Sequence, residues 1–452
     1  MIRTAFLATT TLLLAAAPAI AQSQQQALDA RYDRALAAGY KALMLCSAMA
    51  NAEANGVART PESVAQWELA GIQPPLDGIV ADLPFEVVRR PDGLIAHVTV
   101  VWSDDLPARI ASHSPGHGCH ALPVGARPPA IRIDQLASSG ESYAEFLGDG
   151  RSLKPVDAAF SSTAYGAGAR TTAVLVVRNR KIEAARYAPG FDENTPQRTW
   201  SVAKSIAATL VGAAVHRGET DVNVSAGLGA SDSDARRAIT IDHLLRMASG
   251  RYSDTLGNRT DPLYWGGATV DEVALDWPLI AAPGTSYRYA NNDTLAAVAA
   301  IKPTFAAHPP AEFFAKLGMR HTAAETDWKG NYILSSQVWT TAHDLARFGQ
   351  LYLDDGVWNG ARILPEGWVN YVSSPSGPQP EGPFGYGAGF WLMNRSEGVP
   401  PDTFAAFGNR GQYVVIVPSR QVVIVRRGED PVGSGFDIAA FTRDVLAALE
   451  SG

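Results

Sequence analysis

The sequence predicts an α+β fold of two layers, in which helices flank a central antiparallel sheet built from both ends of the chain. Two hairpins carry this prediction, since residues 171–187 and 412–429 each contain two apolar strand patterns joined by a short polar turn. An almost wholly apolar helix is predicted over 201–215 and an amphipathic helix over 436–450. Between them, about 216–330, the pattern is one of helices and long loops, which predicts a helical insertion.

The first 21 residues are predicted to be a secretory signal peptide. Arg3 gives a positive start, an apolar run extends from Ala5 to Ile20, and small residues surround a cleavage site after Ala21. The run is too short and wrongly flanked for a membrane anchor. The mature protein is therefore expected to be periplasmic or secreted, with no membrane anchor.

Residues 22–150 are predicted to form an N-terminal accessory region, and residues 151–452 a larger C-terminal domain. The accessory region begins with an Ala- and Leu-rich helix over 26–55 and continues with a strand hairpin over 85–102. The Pro- and Gly-rich stretch 114–129 is predicted to be a loop.

Cys46 and Cys119 are the only cysteines. In an oxidising compartment an isolated pair most simply forms one disulfide, and we predict that bond. The alternative is a metal site, because Cys119 lies among three histidines in the run HSPGHGCH.

Composition and charge exclude several other classes of protein. The chain is 46% apolar and 18% charged, which excludes a disordered or collagen-like polypeptide. Its net charge is −7 and it has no basic stripe, so we expect no nucleic-acid partner. No Gly-x-Ser-x-Gly, His-Glu-x-x-His or phosphate-binding loop motif is present, and we expect no cofactor and no metal.

Ser201 and Lys204 begin the apolar helix, and their spacing places both side chains on one face. A lysine in a helix without a solvated face is desolvated, which lowers its pKa and leaves a neutral amine that can act as a base. A serine beside such an amine is an activated nucleophile, and the helix N-terminus can stabilise an oxyanion. The alternative is a lysine that reaches solvent at the rim of the helix.

Three motifs stand in order along the chain: Ser-x-x-Lys at Ser201–Lys204, Tyr-x-Asn at Tyr289–Asn291, and Gly-x-x-Gly-Gln at Gly408–Gln412. They resemble those of the serine hydrolases of the class C β-lactamase and penicillin-binding-protein type, which include carboxylesterases and 6-aminohexanoate-dimer hydrolases. The resemblance covers about residues 155–452 and implies a β-lactamase/transpeptidase-like fold. Further matching segments are HLLRMASG (243–250), LGM (317–319), TTAHDLARFGQLYL (340–353), GVWNGARILPEGWV (356–369) and YGAGFW (386–391).

The resemblance implies a role for each motif. Tyr289 would relay a proton with the lysine and donate it to the leaving group. Asn291 would hydrogen-bond Lys204 or the substrate. The loop from Gly408 to Gln412 would supply the second oxyanion donor, with the backbone N–H of Asn409 as our choice. The alternatives are a tyrosine that only packs and a loop that is only the entry to a strand.

One motif departs from the family. β-Lactamases and wall peptidases of this type carry Lys-Thr-Gly on the third strand, where it binds the substrate carboxylate, and this sequence has none. Arg410 could replace that cation or could simply be solvated. Tyr252, Tyr264 and Trp265 fall where the family places its substrate wall, and they could equally belong to the core.

These observations leave three hypotheses for function. The first is an exported serine hydrolase that cleaves small ester or amide substrates through Ser201. The second is a β-lactamase or D,D-peptidase acting on cell-wall peptides. The third is a binding protein that keeps the fold without turnover. The sequence does not give the oligomeric state.

Overall fold

The computed structural model describes residues 10–128, 146–253 and 261–451, with side chains from Gln22 onward. Residues 1–9 of the predicted signal peptide lie outside these ranges, and residues 10–21 are the first turns of a long helix. Cleavage after Ala21 therefore stays a prediction.

The described part of the accessory region contains three helices and a four-stranded antiparallel sheet with strand order β1-β2-β3-β4. The predicted helix and hairpin are both present. Part of the predicted loop is wrong, because its residues 118–121 pair with β3 and close the sheet. The elements are α1 (Thr10–Ala54), α2 (Pro61–Gln66), α3 (Asp77–Val80), β1 (Phe85–Arg89), β2 (Ile95–Val100), β3 (Arg109–Ser114) and β4 (Gly118–Ala121).

The larger domain contains both strands and helices, and the described part of the predicted helical insertion holds helices and long connections. Its elements are α4 (Lys154–Ala158), β5 (Thr171–Arg178), β6 (Lys181–Tyr187), β7 (Gln197–Arg198), α5 (Val202–His216), α6 (Ile241–Leu245), α7 (Val270–Val273), α8 (Asn291–Ile301), α9 (Pro310–Lys316), β8 (Ala323–Ala324), β9 (Val338–Thr340), α10 (Ala342–Leu353), β10 (Val357–Trp358), β11 (Ala361–Arg362), α11 (Trp368–Ser373), β12 (Gly385–Tyr386), β13 (Trp391–Leu392), β14 (Phe404–Gly408), β15 (Gln412–Val417), β16 (Val422–Gly428) and α12 (Ile438–Glu450).

A seven-stranded antiparallel sheet with strand order β12-β13-β14-β15-β16-β5-β6 forms the centre of this domain. Both predicted hairpins are in this sheet. Strand β16, its last strand in chain order, pairs with β5, its first strand in chain order. The turn between β5 and β6 has positive φ at Asn179 and Arg180, which suits the twist of a two-residue hairpin. The predicted α+β class with a central antiparallel sheet is confirmed.

Strand β5 shows why the sheet is covered on both faces. Leu175 and Val177 pack in the cluster that contains α5 and α10, whereas Val174 and Val176 pack in the cluster that contains α12. Successive strand side chains point to opposite faces, so a run of buried residues requires a layer of helices on each side. Helix α5 is one of those layers and is buried from Val202 to Ala214.

The accessory region shares a hydrophobic core with the helical insertion. Helix α1 packs on the four-stranded sheet, and Tyr40 of α1 contacts Trp265 with ring centroids 5.4 Å apart. Glu325, fully buried, accepts hydrogen bonds from the backbone N–H of Cys119 at 2.9 Å and from the indole of Trp339 at 3.1 Å. The two parts of the chain are thus joined by buried contacts.

The predicted disulfide is confirmed, since Cys46 and Cys119 are bonded. The alternative metal site is wrong, because both sulfur atoms are used in that bond. Among the described residues, no group of three metal-ligating side chains lies together. None of the described helices has both the length and the apolar character that a membrane span requires.

We expect the double variant Cys46→Ala/Cys119→Ala to lose roughly 4 kcal/mol of its free energy of unfolding, because the bond closes a loop of 73 positions and so restricts the unfolded chain. Urea unfolding followed by tryptophan fluorescence measures the loss. As a control, a reductant should shift the parent protein to the midpoint of the variant and leave the variant unchanged. Equal midpoints for the oxidised parent and the variant would contradict the prediction.

Candidate active site

Ser201 lies at the N-terminus of α5, immediately after a strained residue. Trp200 has φ of +50°, and the guanidinium of Arg198, itself buried, stacks 3.7 Å from the indole ring. A side chain in this left-handed region persists only where its surroundings hold it. The turn before α5 therefore fixes where Ser201 starts the helix, with φ −70° and ψ −3°.

Lys204 is only 2% exposed, so the alternative that it reaches solvent is wrong. Its Nζ donates to Ser201 Oγ at 2.9 Å, to the backbone carbonyl of Ser335 at 3.0 Å and to Oδ1 of Asn291. These three acceptors are uncharged, so none of them offsets the loss of hydration. Burial lowers the pKa of Lys204 to about 7, and near neutral pH much of the amine is free to accept a proton.

Tyr289 approaches the same pair from the segment before α8. The Lys204 Nζ lies 5.0 Å from the centroid of its ring, and its hydroxyl is hydrogen-bonded to Ser201 and to the indole of Trp391. Burial raises the pKa of Tyr289 above its ordinary value. The phenol is therefore protonated at neutral pH and can donate to a neighbouring group.

Gly408 closes the site from the end of β14. A Cβ added there would lie 2.3 Å from the carbonyl oxygen of Thr199 and 3.1 Å from the backbone nitrogen of Ser201. Only glycine lets β14 approach the nucleophile this closely. The space beside the Ser201 N–H is where the oxygen of a tetrahedral intermediate would sit.

The residues after Gly408 differ from one another in what their side chains do. Asn409 is exposed, and its Oδ1 accepts a hydrogen bond from the backbone N–H of Arg410 at 2.9 Å. Gln412 pairs with Gly408 across the hairpin, but its side chain is fully buried and accepts from Arg427 Nε at 2.6 Å. The side chain of Gln412 therefore joins β15 to β16, and the contribution of Gln412 to the oxyanion loop stays a prediction.

Both interpretations of Arg410 are wrong. Its side chain is neither solvated nor directed at a substrate, since it is 4% exposed and its Nε lies 2.8 Å from a carboxylate oxygen of Glu429. Its guanidinium also donates to backbone carbonyls of the accessory region. Because those contacts join segments far apart in sequence, no local pattern indicates them.

Of the three aromatic residues predicted to form a substrate wall, two are buried in the core and one is partly exposed. Trp265 and Tyr264 are 5% and 4% exposed and belong to the core shared with the accessory region. The hydroxyl of Tyr264 lies 2.9 Å from the Oγ atom of Ser335, the residue whose backbone carbonyl accepts from Lys204. Tyr252 is partly exposed beside Trp277, with ring centroids 5.7 Å apart, and its contact with a substrate stays a prediction.

Sequence reasoning missed two residues of the site. Ser335 supplies a carbonyl to Lys204 through its backbone, which carries no side-chain signal. Trp391 contacts Tyr289 with ring centroids 5.4 Å apart and stacks on Phe407 at 5.7 Å. The segment YGAGFW, which ends at Trp391, was a matching motif, but its spacing gives no role to any one residue.

Comparisons with known proteins show the family of this chain. The Beta-lactamase family model matches residues 156–447. A 6-aminohexanoate-dimer hydrolase from Paenarthrobacter ureafaciens is 27% identical over 296 residues, which cover 58% of this chain and 73% of that protein.

Two solved structures share the fold. One, provisionally named a 6-aminohexanoate-dimer hydrolase, from Bacillus anthracis, has a TM-score of 0.51 at 22% identity and covers 62% of this chain and 77% of its own. The other, provisionally named a β-lactamase, from Bacteroides dorei, has a TM-score of 0.50 at 20% identity and covers 63% and 93%. The β-lactamase/transpeptidase-like fold is thereby confirmed, and the chain belongs to the β-lactamase family, as one of its serine hydrolases.

Proposed function

We propose that this protein hydrolyses small carboxylic esters or amides through an acyl-enzyme on Ser201. The observation that carries the proposal is the buried Lys204, whose Nζ lies 2.9 Å from Ser201 Oγ and whose pKa is lowered to about 7. A neutral amine within hydrogen-bond distance of a hydroxyl is the arrangement that activates a serine nucleophile.

The proposed reaction has two halves. Lys204 accepts the proton of Ser201 as Oγ attacks the substrate carbonyl, and the oxygen becomes negative beside the backbone N–H of Ser201, with that of Asn409 as the proposed second donor. Tyr289 passes a proton to the leaving alcohol or amine as the carbonyl–heteroatom bond breaks. Water then attacks the acyl group, gives up a proton to the same relay and releases the acid and Ser201.

Two observations bear on the substrate class: the name of the relative, and the lack of a cation that could bind a substrate carboxylate in the turn after Gly408. The relative is named a 6-aminohexanoate-dimer hydrolase, and we propose small esters and amides, linear amides among them, as substrates of this chain. The Lys-Thr-Gly motif that binds a β-lactam carboxylate is missing, and Arg410 is directed away from Ser201 into buried contacts. β-Lactams and cell-wall peptides are therefore the alternative substrates to be tested beside them.

Export of the protein is part of the proposal. The disulfide between Cys46 and Cys119 supports it, because such bonds persist in oxidising compartments. The predicted cleavage after Ala21 agrees with a periplasmic or secreted enzyme.

Replacing the nucleophile tests the proposal directly. We expect Ser201→Ala to abolish hydrolysis of p-nitrophenyl acetate and labelling by a fluorophosphonate, since both reactions need the Oγ atom. Ser231→Ala changes an exposed serine elsewhere and serves as the matched control with parent activity. Full turnover by Ser201→Ala would refute the assignment.

Intact mass after incubation with penicillin separates the alternatives, because a stable adduct would favour the β-lactam-binding function.

The pH dependence follows from the direction of the Lys204 pKa. The reactive form is the neutral amine, so kcat/KM should rise as the pH increases through about 7 and then level off. The neighbouring phenol does not titrate in this range because burial raises the pKa of Tyr289. Rates measured from pH 5 to pH 9, with stability checked at each pH, provide the test. A profile that is flat over that range would contradict a lysine base.

The close approach of β14 predicts the effect of a single methyl group. Gly408→Ala would place a Cβ 3.1 Å from the Ser201 nitrogen and 2.3 Å from the Thr199 carbonyl, so the oxyanion space should be lost and kcat should fall by roughly 10²–10³-fold. Gly78→Ala is the matched control, because a Cβ at that position meets no atom within 4 Å. Parent kcat in a correctly folded Gly408→Ala variant would show that the oxygen binds elsewhere.

A further inference from the structure

The turn that follows Gly408 is held in a costly conformation. Gly408 pairs with Gln412, and between them Arg410 has φ of +56° and Gly411 has φ of +80°. Glycine adopts such values freely, whereas arginine does not. A residue with a side chain stays there only when its contacts over-determine it.

The contacts that hold Arg410 come largely from the accessory region. Its Nη2 donates to the carbonyls of Trp67 at 2.9 Å and Ala70 at 2.7 Å, and its Nη1 donates to the carbonyl of Glu68 at 3.3 Å. Glu429 of the larger domain supplies the carboxylate, 2.8 Å from Nε. A planar guanidinium can bind several fixed acceptors at once, which a lysine ammonium cannot reproduce.

The accessory residues Trp67–Gly71, which we call the clamp segment, are themselves fixed. Glu68 is 2% exposed and forms an ion pair with Arg59 at 2.8 Å. The guanidinium of Arg170 lies 4.6 Å from the ring of Trp67, and the backbone N–H of Val432 donates to the carbonyl of Gly71 at 2.9 Å. The clamp segment is therefore a rigid set of acceptors.

We infer that the clamp segment of the accessory region, acting through Arg410, positions residues 408–412, the turn that carries the proposed second oxyanion donor. Arg410 is thus a positioning residue for the reaction, and the inference rests on the proposed function. Arg410 can act on this turn because it is close to it along the chain, two residues from Gly408 and next to Asn409. A misplacement of about 1 Å in a catalytic group can reduce the rate by roughly 10²-fold.

The test changes the accessory region and leaves the larger domain intact. Gly71→Ala would place a Cβ 2.8 Å from Cβ of Pro431 at a residue with φ of +65°, so the clamp segment and Pro431 must move apart. Gly56→Ala is the matched control, because Gly56 lies in the same region with φ of +76° and a Cβ there meets nothing within 4 Å. Both variants therefore carry the same kind of backbone strain, and only Gly71→Ala disturbs the packing of the clamp segment.

We expect Gly71→Ala to lower kcat about tenfold or more per fluorophosphonate-labelled site, with KM little changed. Binding of phenylboronic acid, which forms a tetrahedral adduct with a reactive serine, should weaken in parallel. Gly56→Ala should change neither value. A loss of stability alone would reduce the number of labelled sites without changing kcat per site.

Hydrogen exchange supplies a readout that does not depend on turnover. The amides of residues 408–412 should exchange about tenfold faster in Gly71→Ala than in Gly56→Ala. Arg410→Lys, which keeps the charge beside Glu429 and loses the planar fork, should show the same increase. Unchanged exchange in both variants would overturn the inference. If the parent protein is not labelled, the proposed function fails, and the exchange rates still decide whether the clamp exists.

Discussion

The desolvation of one amine is the constraint on which the proposed chemistry of this protein depends. Lys204 is buried in a helix that is apolar on nearly every face, and it donates only to neutral acceptors at the site, Ser201, Asn291 and the carbonyl of Ser335. A carboxylate in any of these places would favour the ammonium ion and remove the base. The packing of α5 against the central sheet is therefore what makes the amine reactive.

The site is assembled from three distant parts of the chain, and each is held by its own element. The N-terminus of α5 presents Ser201, the segment before α8 presents Tyr289, and the β14–β15 hairpin brings Gly408 beside Ser201. The sheet fixes the hairpin at its paired residues but not at its turn. The turn is fixed through Arg410 by the accessory region, which shares a core with the helical insertion.

The structure keeps the residues of the proposed chemistry together but not the cation expected for substrate binding. The serine, the lysine and the tyrosine lie together as their family motifs imply. The cation that the family uses to bind a substrate carboxylate has no counterpart in the turn, because Arg410 points into a buried network with Glu429. Trp391 contacts Tyr289 and stacks on Phe407.

The sequence alone determined many of the elements and the proposed nucleophile. Strand alternation, the apolar run of α5 and the three-residue spacing of Ser201 and Lys204 are local patterns, and a single pair of cysteines permits one disulfide. Only the tertiary structure decided the direction of Arg410, the burial of Gln412 and the strand within the predicted loop at 118–121. Arg410 and its acceptor Glu68 are 342 positions apart, and contacts over such distances depend on how whole elements pack, which no local pattern records.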